Sequence, residues 1–171
     1  MFKRFLIKLW EKLYFCATGS SYPGYHIRYG QIKGHQVNIG GLPWAASQVV
    51  ANRSGKLVYM SSSGTLTLCT GNTAIFGWAQ ERARTPTLND ECTVNVARDA
   101  VYRLPINGGT YAATMIGETC DVSVSSSVQG VDLTASTYDQ VVIVGGDVTN
   151  QKYVDVMINA ANEWADDDGV A

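Results

Sequence analysis

The residues best suited to chemistry are few and scattered: two histidines, His26 and His35, and four cysteines, Cys16, Cys69, Cys92 and Cys120. The cysteines form no C-x-x-C pair and the histidines no H-x-x-x-H, so the spacings of zinc sites and redox dithiols are missing and no metal is expected. Isolated cysteines of this kind read as small buried hydrophobes. Both histidines lie before residue 40, and neither belongs to a nucleophile motif, so no imidazole is placed to orient a serine or thiol of the later chain. G-x-x-x-x-G-K-S/T, G-x-G-x-x-G and H-E-x-x-H are absent, and Gly40-Gly41 and Gly145-Gly146 lack the strand-then-helix setting of a phosphate cradle. Asp99, Glu118 and Asp121 read as exposed turn acids rather than a glycoside-cleaving pair. Asp139 and Asp147 read as charges at the two ends of the apolar run 141–144. The expectation is a protein that is not an enzyme, with no catalytic residue and no cofactor.

The other distinctive residue types are those of a binding surface. Phe2, Phe5, Leu6, Leu9, Trp10 and Leu13 recur at helical spacing and make one apolar stripe, with Arg4, Lys8, Glu11 and Lys12 on the other side. A short N-terminal amphipathic helix is expected, able to lie on a membrane interface, on a partner or on its own domain. Lys8, Glu11 and Lys12 break the apolar core that a secretory signal needs, and no run approaches the roughly 20 apolar residues of a membrane span. Membrane attachment is not the expectation.

Residues 22–35 follow, rich in Gly and Tyr and without continuous periodicity. They read as an extended arm, either adding as a strand to a neighbour's sheet or forming an edge strand of their own domain. The candidate partner-binding residues are Phe5, Leu9 and Trp10 of the helix and Tyr25, Ile27, Arg28, Tyr29 and Ile32 of the arm. The same alternation of aromatics and bases suits single-stranded nucleic acid, but an acidic remainder argues against it, and no nucleic acid is expected. Residues 1–56 carry a net charge of +7 and residues 57–171 a net charge of −9, a split that favours association of a basic arm with an acidic surface.

Positioning such an arm requires a body. Short apolar or alternating runs at 57–60, 65–70, 74–79, 92–97, 100–104, 111–115, 120–124, 130–133, 140–144 and 152–158 are separated by Gly, Asn, Asp and Ser, and read as strands. The fold class is mainly β: a compact β-barrel or β-sandwich-like body over 40–171, preceded by helix and arm over 1–39. Trp44 and Trp78 fill its core or an interface between subunits. Residues 79–90 make a long polar loop, a further candidate contact.

Ala74-Ile75-Phe76-Gly77-Trp78-Ala79, then Val94-Asn95-Val96, then Val101-Tyr102-Arg103-Leu104-Pro105-Ile106, and Met115-Ile116-Gly117-Glu118-Thr119-Cys120-Asp121 before a late hydrophobic strand, follow one another in a characteristic order. In that order, over about residues 40–158, the chain resembles the decoration (cement) proteins of tailed-phage capsids. The resemblance implies a structural virion protein, made in the host cytoplasm and placed on the outer capsid surface, where it stiffens the shell. It also implies binding to the major capsid protein and a homo-oligomer, with a trimer first among the options. The alternative is a head-fibre, tail or host-surface module that recognises glycans through barrel loops.

Overall fold

The structure, a computed structural model, describes residues 28–162. The expected amphipathic helix and residues 22–27 of the arm lie outside the described residues. Among these residues eleven strands run in the order β1 (Gly30–Lys33), β2 (Asn38–Pro43), β3 (Leu57–Met60), β4 (Leu66–Leu68), β5 (Gly77–Ala79), β6 (Glu91–Asn95), β7 (Val101–Gly108), β8 (Thr119–Ser125), β9 (Val128–Asp132), β10 (Val141–Gly146) and β11 (Tyr153–Ile158). They form two sheets, one ordered β1-β7-β11-β10-β8-β9 and the other β2-β6-β5-β3-β4. In the first, β9 also meets β7 in parallel, pairing Ile106 with Val131 and Gly108 with Asp132. The protein is mainly β, as the periodicity predicts.

Nine of the ten expected runs contain a strand. The exception is 111–115, where the chain makes a 3-10 turn, Ala113–Met115. Its apolar pattern serves a different end. Tyr111 is buried against Gly146 of β10, and Gln151 grips its backbone, accepting from Tyr111 N at 2.6 Å and donating to Tyr111 O at 2.9 Å. Asp121 also departs from expectation. It is buried in β8, where its carboxylate accepts from Thr137 N, Tyr138 N and Asp139 N at 3.1, 3.0 and 2.9 Å, fixing the loop that leads to β10. Three backbone donors supply what water would otherwise give a buried carboxylate.

The packing explains why several strands carry adjacent apolar residues instead of strict alternation. Leu57 and Trp78 point into a cluster with Tyr102, Leu104, Val122, Val131, Ile143 and Val156 of the larger sheet. Their neighbours Val58 and Ala79 point the other way, into a second cluster with Trp44, Val50, Leu66 and Val94. The smaller sheet is therefore a wall with a core on each face, and strands buried on both faces read as continuous apolar runs. Trp78 stacks on Tyr102 with ring centroids 4.9 Å apart, joining the two sheets through aromatic area.

Two buried glutamines fasten the same junction. From β9, Gln129 accepts from Leu57 N at 2.7 Å and donates to Leu57 O and Cys69 O at 2.8 and 3.1 Å. Gln140 accepts from Val122 N at 2.9 Å and donates to Thr70 O and Thr73 O at 2.8 and 2.6 Å. Each carboxamide replaces a missing strand neighbour, so the backbone groups that the junction buries are paired.

Gln129→Leu keeps the volume but strands two backbone groups, Leu57 N and Cys69 O, at about 1–3 kcal/mol each, while Leu57 O keeps the Cys69 N–H at 2.9 Å. We expect a loss of at least roughly 2 kcal/mol, read as a lower urea midpoint at constant slope. In the opposite direction, the β8–β9 hairpin turns on Ser126 and Ser127, both at positive φ (49° and 64°), between the paired Ser125 and Val128. Ser126→Asn with Ser127→Gly supplies residues that favour this two-residue turn and should stabilise by about 1 kcal/mol, seen as a higher melting temperature.

Candidate functional site

Of the expected partner-binding residues, Phe5, Leu9, Trp10, Tyr25 and Ile27 lie outside the described residues. Arg28, Tyr29 and Ile32 are brought to one edge of the larger sheet. Arg28 is exposed, while Tyr29 and Ile32 are half-buried. β1 runs antiparallel to β7 with Gly30 opposite Arg103 and Gln31 opposite Tyr102, and the register slips at Ile32. Residues 30–33 are thus an edge strand of the body, one of the two readings the arm allowed.

A network of side chains holds this strand. The Tyr29 hydroxyl donates to Lys152 O at 3.3 Å. Gln31 Oε1 accepts from Asn95 Nδ2 at 2.9 Å, while Gln31 Nε2 donates to His35 O at 2.7 Å. Asn95 Oδ1 in turn accepts from Val37 N at 2.9 Å and Ala97 N at 3.1 Å, so one asparagine of β6 organises the passage from β1 to β2. His35 Nδ1 lies 2.6 Å from Asp99 Oδ2, and this hydrogen bond holds the Asp99 carboxyl below the usual carboxylate range. On the outward face beside β1, Arg103 binds Asp155 through two nitrogens at 2.7 and 2.9 Å and lies 3.8 Å above the Tyr153 ring.

The next strand, β2, ends the smaller sheet and pairs only with β6. Asn38, Ile39, Gly40 and Gly41 are all exposed, and residues 36–52 contain no charged side chain. Val37 and Ile39 are 54% and 40% exposed. Leu88, 59% exposed, adjoins the end of β2, since Asn89 N donates to Trp44 O at 2.9 Å. The opposite edge of the sheet is treated differently. There, Ala45 N donates to Leu66 O at 2.9 Å and Gln48 Oε1 accepts from Leu68 N at 3.0 Å, so the chain after β2 folds back over β4. Among the described residues no strand pairs with the outer side of β2, whose side chains there are apolar or uncharged, without the lysines that usually guard an edge; the register slips between Ile39 and Leu42. Sequence reading placed Val37 and Ile39 at the boundary of arm and body without selecting them, and Leu88 within the 79–90 loop it named as a candidate contact; for β2 the unbroken absence of charge over 36–52 was the available signal.

The polar loop 79–90 is cross-braced. Arg84 bonds Glu81 and Asp90 at 2.7 Å each, and its backbone exchanges two 2.9 Å hydrogen bonds with Val50. Burial raises the Glu81 carboxyl, but Arg84 and the Arg82 N–H outweigh that and hold it low. Cys69, Cys92 and Cys120 are free and buried, as their spacing predicts. Among the described residues no group of three or more His, Cys, Asp or Glu side chains is arranged to hold a metal ion. Within the same residues no helix is long and apolar enough to cross a membrane.

No protein-family model, curated protein or solved structure matches this chain.

Burial pushes the thiols of Cys69, Cys92 and Cys120 from 9.0 up to about 12, 11 and 12. The native thiols therefore keep protons that the unfolded chain releases, and stability falls as the pH rises above about 9. A Cys16→Ser variant treated with a thiol reagent at pH 8 should react slowly when native and take up three equivalents in urea, as absorbance of the released chromophore reports.

Proposed function

We propose that this chain is a non-catalytic structural protein that binds the outer surface of a phage capsid and stabilises the shell. It acts as a homo-oligomer, a trimer, on the major capsid protein, and its place is the virion surface. The observation that carries this reading is the uncharged edge of β2, which no other strand among the described residues pairs with. Such an edge accepts an extended segment of a partner through backbone hydrogen bonds, with Val37, Ile39 and Leu88 supplying apolar contacts. The resemblance in segment order supports the choice of partner. The strand pairing supports a small barrel as the scaffold: the sequence β7-β11-β10-β8-β9 returns to β7 through the parallel β7–β9 contact. A barrel buries most strand edges and leaves contact to those that remain.

Co-sedimentation of the full chain with capsids of the source phage tests this. Binding should saturate, and Ile39→Lys should weaken it roughly tenfold, about 1.4 kcal/mol, while shifting stability by no more than about 0.5 kcal/mol because Ile39 is exposed. Absence of shell binding together with binding on a glycan array would replace this reading with host-surface recognition.

A further inference from the structure

The outward face of the larger sheet departs from the alternation of a sheet that meets water. Tyr102, Val156, Val141 and Cys120 point into the core, so their neighbours Val101, Met157, Val142 and Thr119 point away from it. Register sets these four side by side: Val101 lies opposite Met157, Met157 opposite Val142, and Val142 opposite Thr119. A solvated face carries polar residues at such positions, yet all but Thr119 are apolar. Val101, Met157 and Val142 are half-buried and belong to neither of the two buried apolar clusters. The apolar surface continues past the row. Val144 is 36% exposed, and Ile116, 55% exposed, is brought up to β10 because Gly117 N donates to Ile143 O at 2.8 Å.

This row offers a partner side chains and not backbone. β11 lies between β7 and β10, and β10 between β11 and β8, so their peptide groups are spent on the ladder. An extended segment has nothing to pair with here. A helix satisfies its own peptide groups and can dock through one apolar stripe.

The chain itself contains such a stripe. Phe2, Phe5, Leu6, Leu9, Trp10 and Leu13, outside the described residues, recur at helical spacing. On a helix they extend about 17 Å, and the row across β7, β11, β10 and β8 measures about 14 Å. Residues 14–27 link the stripe to β1, the strand beside β7, and reach up to roughly 45 Å when extended, more than the crossing requires. Arg4, Lys8 and Lys12 flank the stripe, and the exposed Glu118 stands next to Thr119 at the far end of the row. The tether also keeps the stripe at a high local concentration, an advantage that no free partner has.

We infer that residues 2–13 dock as an amphipathic helix on the outward row of Val101, Met157 and Val142. The contact assigns Phe5, Leu9 and Trp10 to the chain's own body and is separate from the β2 edge. The flexible Met157 thioether suits the irregular surface that aromatic rings present, and sulfur-to-ring contact adds to the buried area.

Met157 also supplies the probe. In the full chain, isotope-labelled at the methionine methyls, its methyl signal should show an upfield ring-current shift and a nuclear Overhauser contact to the Trp10 indole. Both should persist on dilution. Trp10→Ala should abolish the contact and move the Met157 methyl downfield, and Leu9→Asp should move the same methyl. The Met60 and Met115 methyls, which pack against the two buried clusters, should stay in place in both variants and so report that the body is folded. A Met157 methyl that neither substitution displaces would overturn the inference. A contact found only between labelled and unlabelled molecules in a mixture would also overturn it, and would assign the face to a second copy.

Discussion

The structure depends on one buried amide. Gln129 reaches from β9 into the smaller sheet and pairs with both backbone groups of Leu57, supplying the donor and acceptor that a further strand would have offered. Without it, the Leu57 N–H and the Cys69 carbonyl would be left unpaired where the two sheets meet, and a buried unpaired group costs more than a made hydrogen bond returns. The Gln129 backbone holds Ser54 and Gly55 as well. A single residue thus sets the sheet junction and, through the turn at 51–55, the shape of the concavity lined by Arg28, Arg53 and Lys56.

This joint allows the smaller sheet to be buried on both sides. Leu57 and Val58, adjacent in sequence, belong to different apolar clusters, as do Trp78 and Ala79. A wall with a core on each face must be thin and closely packed, and Gly77 reflects this, because a Cβ there would lie 2.5 Å from Asn95 O. Several of the backbone groups left inside are held by side chains acting as surrogate backbone: Gln129, Gln140 and Asp121. Edges receive the opposite treatment. Residues 44–48 cover β4, whereas among the described residues β2 pairs with β6 alone.

The charge split takes on a spatial meaning in this framework. Part of the positive excess of residues 1–56 is placed in one concavity by Arg28, Arg53 and Lys56. Elsewhere Glu81 pairs with Arg84 and Asp155 with Arg103. The uncharged stretch 36–52 carries the apolar β2 edge at its start and reaches the pocket at Asn52.

Period-two alternation and turn residues were enough to assign the β class and nearly every strand from β3 to β11, because those signals are local. The sparse cysteine spacing likewise identified buried free thiols. The 111–115 run was misjudged because Tyr111 is apolar for the sake of a contact with Gly146, across the chain, and Asp121 because its three backbone donors come from residues 137–139. The β2 edge was half legible, as a stretch without charge. That β4 is covered, while among the described residues β2 pairs with β6 alone, depends on where residues 44–48 fold. The basic pocket was not legible at all, since its cations come from segments 25 or more residues apart that no local pattern connects. Sequence determined what each segment would become; the sheet junction at Gln129 decided which segments would share a surface, because hydrogen bonds between distant strands exist only after the chain has folded.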